Sequence, residues 1–288
     1  MRGAEPTVST LGRVERSHPS WLVPFLTWAL LLCGNPGSAA LVPVRWREGV
    51  VHGFLVLRTL EGKRLAAGDL IQLVRGDQVT SELVFHFEDG SLYDETTVFS
   101  QRHTFRLLSD HLVQKGPSFP HPIEVSINGI TGWVTVRSTD NGKEKVLTEQ
   151  LSVPADTANG LTLTLLKNIR PEAPQTVVSL VTPTSKPRIV KLVISSQGKE
   201  RFSVAGSKRR AIHYVLKLEL GGLAGVVAPL VGKQPPDTHV WVLGGRAPTF
   251  VRFEGTLYQG GPIWRMEPDV PVWPQPAAES NGRGKSKR

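Results

Sequence analysis

The segment Pro154–Pro171, PADTANGLTLTLLKNIRP, separates two long runs of β-type sequence and is the strongest candidate for a helix in the chain. Leu161, Leu165 and Ile169 recur every four residues, a spacing that places them on one face of a helix. Leucine also alternates with threonine in this segment, which is typical of a strand. Periodicity alone therefore leaves the segment ambiguous.

The two ends of the segment favour the helix. A short polar side chain can accept a hydrogen bond from an unpaired backbone N–H group at a helix start, and Asp156 or Asn159 is placed to do so. Lys167 and Arg170 fall in the last turn, where cations interact favourably with the helix dipole, and proline follows. We therefore predict one central helix over about residues 156–170.

Short strands separated by turn residues precede and follow this helix. In residues 79–90, VTSELVFHFEDG, Leu83, Phe85 and Phe87 share one face, the pattern of an antiparallel strand with one buried side. Turn dipeptides such as Gly76-Asp77 bound the strands. After the helix, the predicted strands include Arg188–Ser195, Arg201–Val204 and Ala211–Leu220. About a dozen such strands predict a mainly β fold, a curved antiparallel sheet or open β-barrel with one central helix.

The first forty residues have the features of an export signal. Trp21–Leu32 is an apolar run of twelve residues, too short for a transmembrane helix, which needs about 20. Basic residues precede this run, and Ser38-Ala39-Ala40 offers small residues for cleavage after Ala40. We therefore predict a signal peptide over residues 1–40 and a periplasmic or secreted location.

The single cysteine bears on this prediction. A lipoprotein signal needs a small residue before its cysteine, and Leu32 precedes Cys33, which disfavours lipidation. Cleavage after Ala40 would leave a mature chain without cysteine, which suits an oxidising compartment but excludes disulfides. We expect a single β-rich periplasmic domain over residues 41–273.

Basic residues are concentrated at the end of the chain. The formal net charge is +9, and the last six residues, RGKSKR, contribute +4 of it. We predict a disordered basic tail over residues 274–288, which could contact anionic lipid headgroups or acidic envelope polymers. Basic and aromatic residues are not interleaved, so no nucleic-acid partner is expected.

One loop is unusually apolar. Residues 221–236, GGLAGVVAPLVGKQPP, are rich in glycine and proline, yet contain several large aliphatic side chains. These are Leu223, Val226, Val227, Leu230 and Val231. An exposed apolar patch usually marks a ligand, partner or membrane contact, whereas the alternative is a plug folded over the core. We treat these five residues as candidate ligand-binding residues.

Three tryptophans lie in strand-like sequence, Trp133, Trp241 and Trp264. We expect them in the core. Alternatively, Trp241 and Trp264 line an apolar cavity on the concave face of the sheet and bind the same ligand, because a large flat side chain supplies much contact area.

No catalytic or metal motif stands out. The densest group of possible bases or ligands comprises Asp94, Glu95, His103, Asp110, His111 and His121. The three histidines are eight and ten residues apart, without the short fixed spacing typical of zinc sites. We therefore predict no catalytic residue, no metal and no cofactor, with a hydrolase based on these histidines as the least favoured alternative.

The segments DTANGLTLTLLKNIR, AIHYVLKLEL, HVWVLGGRAPTFVRFEG and GPIWRMEP resemble a family of exported bacterial proteins known only as a domain of unknown function. That resemblance implies a β-rich periplasmic protein. The architecture is also similar to the lipoprotein-carrier (LolA-like) half-barrel, in which a curved sheet closed by a helix shelters acyl chains. Such an analogy concerns fold, not function.

Together these features suggest a non-enzymatic protein of the cell envelope. Our first hypothesis is that it binds or carries an apolar or amphipathic, lipid-like molecule. The alternative is an interaction or scaffold protein, contacting an envelope protein or a membrane surface without a ligand cavity.

Overall fold

The computed structural model of the chain describes residues 41–140, 142–204, 207–219 and 235–270, which belong to one compact unit. In chain order its elements are β1 (Val51–Arg58), β2 (Arg64–Arg75), β3 (Gln78–Phe87), β4 (Leu92–Gln101), β5 (Phe105–Lys115), β6 (Ile123–Asn128), β7 (Trp133–Asp140), β8 (Lys143–Gln150), α1 (Thr162–Asn168), β9 (Thr176–Val181), β10 (Ile189–Val204), β11 (Ser207–Glu219), β12 (Thr238–Leu243), β13 (Thr249–Gly255) and β14 (Trp264–Pro268). The predicted signal peptide and basic tail lie outside the described residues. Within them, no helix has the length and apolarity needed to cross a bilayer.

The fourteen described strands form one antiparallel sheet in the order β8-β7-β6-β5-β4-β3-β2-β1-β14-β13-β12-β11-β10-β9. Strands β1–β8 form one meander and β9–β14 another, and the two join in the middle of the sheet where β1 pairs with β14. The sheet is curved but not closed. The predicted mainly β fold with one helix is confirmed.

The core lies on the concave side of the sheet. Because side chains alternate across a strand, every second residue points inward, and Phe85 and Phe87 are buried while His86 between them is exposed. Aromatic residues fill the end of the core near the β4 start, where Phe87 and Phe119 pack edge to face at 5.3 Å between ring centroids. Trp133, predicted in the core, is instead 49% exposed at the start of β7.

The helix is shorter than predicted. It covers seven residues, Thr162–Asn168, rather than 156–170. The expected apolar stripe is present, because Leu161, Leu165, Leu166 and Ile169 are all buried against the sheet. Leu161 stands at the N-cap position without a side-chain cap, so the predicted capping by Asp156 or Asn159 is wrong.

Asp156 and Asn159 instead bind the edge strand β9. The side-chain amide of Asn159 donates to the carbonyl of Val181 at 2.7 Å and accepts from its backbone N–H at 2.8 Å. The Asp156 carboxylate accepts a hydrogen bond from the Ser179 hydroxyl. The Asn159 side chain therefore satisfies backbone groups of the edge strand, and an unsatisfied sheet edge otherwise invites pairing with another chain.

The end of α1 holds the segment that precedes β1. Buried Asn168 accepts hydrogen bonds from the backbone N–H groups of Arg45 at 2.9 Å and Trp46 at 2.7 Å. Lys167 forms an ion pair with Glu48, whose side chain is only 8% exposed. The end of the helix is thus bound to the segment that leads into β1.

Two predicted strands are in fact one. Arg188–Ser195 and Arg201–Val204 belong to the sixteen-residue strand β10, which pairs along its length with β11. A register shift between Ser196 and Gly198 lies within this strand, in the interval between the two predicted strands.

Leu165→Asp is expected to abolish cooperative folding. Leu165 is 3% exposed, so the substitution removes about 1.5–3 kcal/mol of apolar burial and places a carboxyl group in the core. Val146→Asp is the matched control on β8, where the side chain is 58% exposed, and should change the free energy of unfolding by less than about 0.5 kcal/mol. Urea denaturation followed by circular dichroism distinguishes them, and a folded L165D with a wild-type midpoint would contradict the packing described.

Candidate functional site

An apolar hollow of about 310 Å³ lies inside the curve of the sheet, beside the start of α1. Its apolar lining consists of Leu83, Tyr93, Leu163, Leu180, Leu192, Leu216, Leu218, Pro235, Pro236, Phe253, Leu257 and Met266. Leu83, Leu163 and Leu180 face inward yet are only half-buried, because part of their surface borders the hollow. A concave, mostly apolar wall with a few polar groups is the usual form of a small-molecule site.

A second, wider cleft of about 1050 Å³ lies between the edge strand β8 and the turn that joins β9 to β10. Its lining is mostly polar and includes Thr139, Glu149, Lys186 and Arg188. This seam cleft lacks the continuous apolar wall of the hollow. The hollow is therefore the better candidate for binding a ligand.

Two carboxyl groups occupy the wall of the hollow and the layer behind it. Glu95 lines the hollow, and the Tyr93 hydroxyl donates to its Oε2 at 2.9 Å. On the next strand, Asp110 is 3% exposed and accepts a hydrogen bond at 2.7 Å from Thr97, which is directly opposite in the β4–β5 register. No lysine, arginine or histidine is among the described residues that line the hollow.

These surroundings shift the pKa of both carboxyl groups. Burial raises the pKa of Glu95, and the hydrogen bond from Tyr93 offsets this only in part. Burial, together with the negative charge of Glu95, raises the pKa of Asp110 well above its ordinary value, against a smaller opposing effect of the Thr97 hydroxyl. The pair therefore favours protonation unless a donor or cation from elsewhere approaches it.

The backbone of Gly160 packs directly against Thr97 and Asp110. Its φ is +62°, and a Cβ there would overlap Thr97 Oγ1 and lie 2.8 Å from Asp110 Oδ1. Only glycine allows the segment before α1 to approach so closely. The residue before the N-cap of α1 is thus fixed against Asp110.

The candidate loop residues Leu223, Val226, Val227, Leu230 and Val231 lie outside the described residues. The chain on both sides of this segment is described, and Leu218, Pro235 and Pro236 all line the hollow. The described residues on both sides of this segment therefore lie at the hollow.

The two candidate tryptophans lie elsewhere. Trp264 packs in the core against Phe87, at 5.4 Å between ring centroids, and against Phe119 and Tyr258. Trp241 is buried on the outer face, where its ring stacks on that of His213 at 4.4 Å. Neither is among the residues that line the hollow.

The three predicted histidines are not brought together into one site. His111 contacts Ser126 at 2.9 Å on the outer face of β5, and His121 lines the seam cleft. His103 is exposed before β5. Among the described residues, no three metal-ligating side chains converge.

A different histidine pair was missed by sequence reasoning. His213 Nε2 lies 2.9 Å from His239 Nδ1, and its Nδ1 lies 2.7 Å from a carboxylate oxygen of Glu200. The same carboxylate accepts a hydrogen bond from the Trp241 indole at 2.8 Å. The contact depends on the pairing of β10, β11 and β12, which spacing along the chain does not reveal.

The chain matches no family model and no curated protein. Among solved structures, it is similar to the "Beta-barrel-like Protein of Domain of Unknown Function DUF1849 from Brucella abortus". That similarity covers 81% of this chain and 98% of the other, at 11% identity and a TM-score of 0.41. A similarity of this size supports no inference about function.

Gly160→Ala should destabilise the domain far more than Gly76→Ala. Both glycines have φ +62°, so both variants incur the cost of a left-handed alanine, about 1–2 kcal/mol. Only at position 160 does the added methyl group meet Thr97 and Asp110, whereas nothing lies within 4 Å of the Cβ at position 76. Urea denaturation should show at least about 2 kcal/mol between the variants, and equal losses would contradict the close approach.

Asp110→Asn should stabilise the domain at pH 8 but not at pH 4. A folded-state pKa raised above the unfolded value means that stability is full below the unfolded pKa, about 4, and is lost as the pH rises through the folded value. The amide oxygen can still accept from Thr97 but carries no charge. The unfolding midpoint in urea, measured from pH 4 to pH 9, should fall for the wild type and stay flatter for D110N; parallel profiles would refute this assignment.

Proposed function

We propose that the chain binds an amphipathic small molecule in the hollow, as a non-enzymatic binder or carrier of the cell envelope. The apolar body of the ligand lies against the leucines, and its head group donates a hydrogen bond or a positive charge to Glu95. One observation supports this most directly: a carboxyl group lies on an apolar wall that has no cation among its described lining residues.

The energetics favour a ligand with such a head group. An ionised carboxylate taken out of water without a partner costs several kcal/mol, which is why burial raises the pKa of Glu95. A protonated amine supplies the missing charge, and a hydroxyl group supplies a hydrogen bond. A carboxylate head group would add a like charge beside Glu95 and Asp110, so fatty acids should bind poorly.

The apolar loop has a role in this proposal. Because its two flanks line the rim, Leu223, Val226, Val227, Leu230 and Val231 can cover the ligand or meet a membrane from which it is taken. The predicted export signal and the resemblance to lipoprotein carriers are our reasons for proposing that this activity belongs to the envelope. If the loop instead fills the hollow permanently, the chain is a scaffold without a ligand cavity.

Three ten-carbon amphiphiles test the proposal: decylamine, decanol and decanoate. Calorimetric titration at pH 8 of the chain from Leu41 onward should show tightest binding for the amine, at least ten-fold tighter than for decanoate. Native mass spectrometry should give one ligand per chain. Glu95→Gln should bring the affinities for amine and alcohol within about three-fold of each other, because the ion pair is lost while the hydrogen bond remains.

A matched pair of substitutions locates the binding. Leu180→Trp places a larger side chain in the hollow and should abolish binding of all three amphiphiles. Leu73→Trp adds the same volume on the surface, where Leu73 is 52% exposed, and should leave binding unchanged. Absence of uptake by the wild type, or equal binding by both variants, would overturn the proposal and favour the scaffold.

A further inference from the structure

The hairpin of β10 and β11 extends beyond its neighbours in the sheet. Strand β9 pairs with β10 only as far as Ile194, and β12 pairs with β11 only from Ala211 onward. Between these limits the two strands pair only with each other, with Arg201 opposite Arg210. We call residues 199–203 and 208–210 of this projecting hairpin the basic ribbon.

The basic ribbon carries a dense group of exposed cations, Lys199, Arg201, Lys208, Arg209 and Arg210. In the described part of the chain, none of the five forms an ion pair. Like charges directly opposite on paired strands destabilise a sheet, and Arg201 and Arg210 are such a pair. The ribbon thus retains a repulsion that an external anion would relieve.

The acidic groups nearby are already engaged. Glu200, the one acidic residue in the ribbon, contacts His213 and Trp241 through its two carboxylate oxygens. On the adjoining outer face, Arg252 pairs with Glu267 at 2.6 Å and Arg265 pairs with Glu254 at 2.8 Å. Positive charge is therefore neutralised across that face but not on the ribbon.

We propose that the basic ribbon docks the protein onto an anionic phospholipid surface. Clusters of four to eight lysine and arginine residues bind such surfaces, and each contributes about five-fold in affinity. A nucleic acid fits less well, because proteins that bind a duplex usually neutralise six to ten phosphates along an extended track. The five ribbon residues from Lys199 to Ser203 span only about 13 Å, a compact contact for lipid head groups.

This docking is independent of ligand binding in the hollow. Leu216 and Leu218, which line the hollow, lie near the opposite end of β11 from Lys208. The ribbon and the hollow therefore lie near different ends of β11. An experiment can therefore find membrane docking without ligand binding, or ligand binding without membrane docking.

Vesicle flotation tests the docking with the chain from Leu41 onward, which contains every described strand. Vesicles contain either phosphatidylcholine alone or phosphatidylcholine with 30% phosphatidylglycerol, at low salt. We expect the protein to partition only onto the anionic vesicles. This partition should be lost at 0.5 M salt, because the salt then screens nearly all of the attraction between the ribbon and the lipid head groups. The quadruple variant with Arg201, Lys208, Arg209 and Arg210 all changed to Gln should partition at least fifty-fold more weakly.

A second quadruple variant controls for net charge. Arg64, Arg75, Arg106 and Lys115 are exposed, form no described ion pair, and lie outside the ribbon. Their replacement by Gln removes the same charge and should weaken partition less than five-fold, with the basic tail present in both proteins. If the ribbon variant does not fold, the double variant R201Q/R210Q should partition onto anionic vesicles about twenty-fold more weakly than the wild type.

Three outcomes would overturn the proposal. They are equal losses of partition in the ribbon and control variants, no partition by the wild type, and full competition by duplex DNA at equal phosphate concentration.

Discussion

The burial of the leucines at the N-cap and within α1, on the concave side of the sheet, is the interaction on which the rest of the structure depends. Strands β8 and β9 are consecutive in the chain but lie at opposite edges of the sheet, so their connection must cross its open side. Burial of Leu161, Leu165 and Leu166 makes that crossing favourable, because their apolar side chains leave water and pack in the core. Without this packing, the concave side of the sheet would expose an apolar face to water.

The same crossing creates the hollow and its polar wall. A helix of only seven residues cannot fill the whole concave side of a fourteen-stranded sheet, so space remains beside its first turn. Gly160 brings this turn against Asp110, which removes the carboxyl group from water and keeps Glu95 at the boundary. The domain thus tolerates a local cost in stability beside the hollow, and such costs are often found at functional sites.

Local patterns in the sequence predicted the architecture well. The alternation of apolar and polar residues around Leu83, Phe85 and Phe87 can be recognised from residues close together in the sequence. The same holds for the turn dipeptides and for the apolar stripe of the helix. The caps were predicted wrongly because Asp156 and Asn159 have better partners on β9, which lies far along the chain. The carboxyl pair was missed for a related reason: Glu95 and Asp110 meet through the β4–β5 register, although the inward series Tyr93, Glu95 and Thr97 could have suggested it.

The pairing of β1 with β14 has a consequence for the order of folding. Each of the two meanders can form from neighbouring hairpins, but Leu55 must pair with Pro268, near the two ends of the domain. The central seam of the sheet therefore closes only after the last strand has been synthesised and, if the chain is exported, translocated. Until then, β1 has an unpaired edge in what will become the middle of the sheet. An incomplete chain whose first half has already formed can therefore be bound by chaperones or cleaved by proteases.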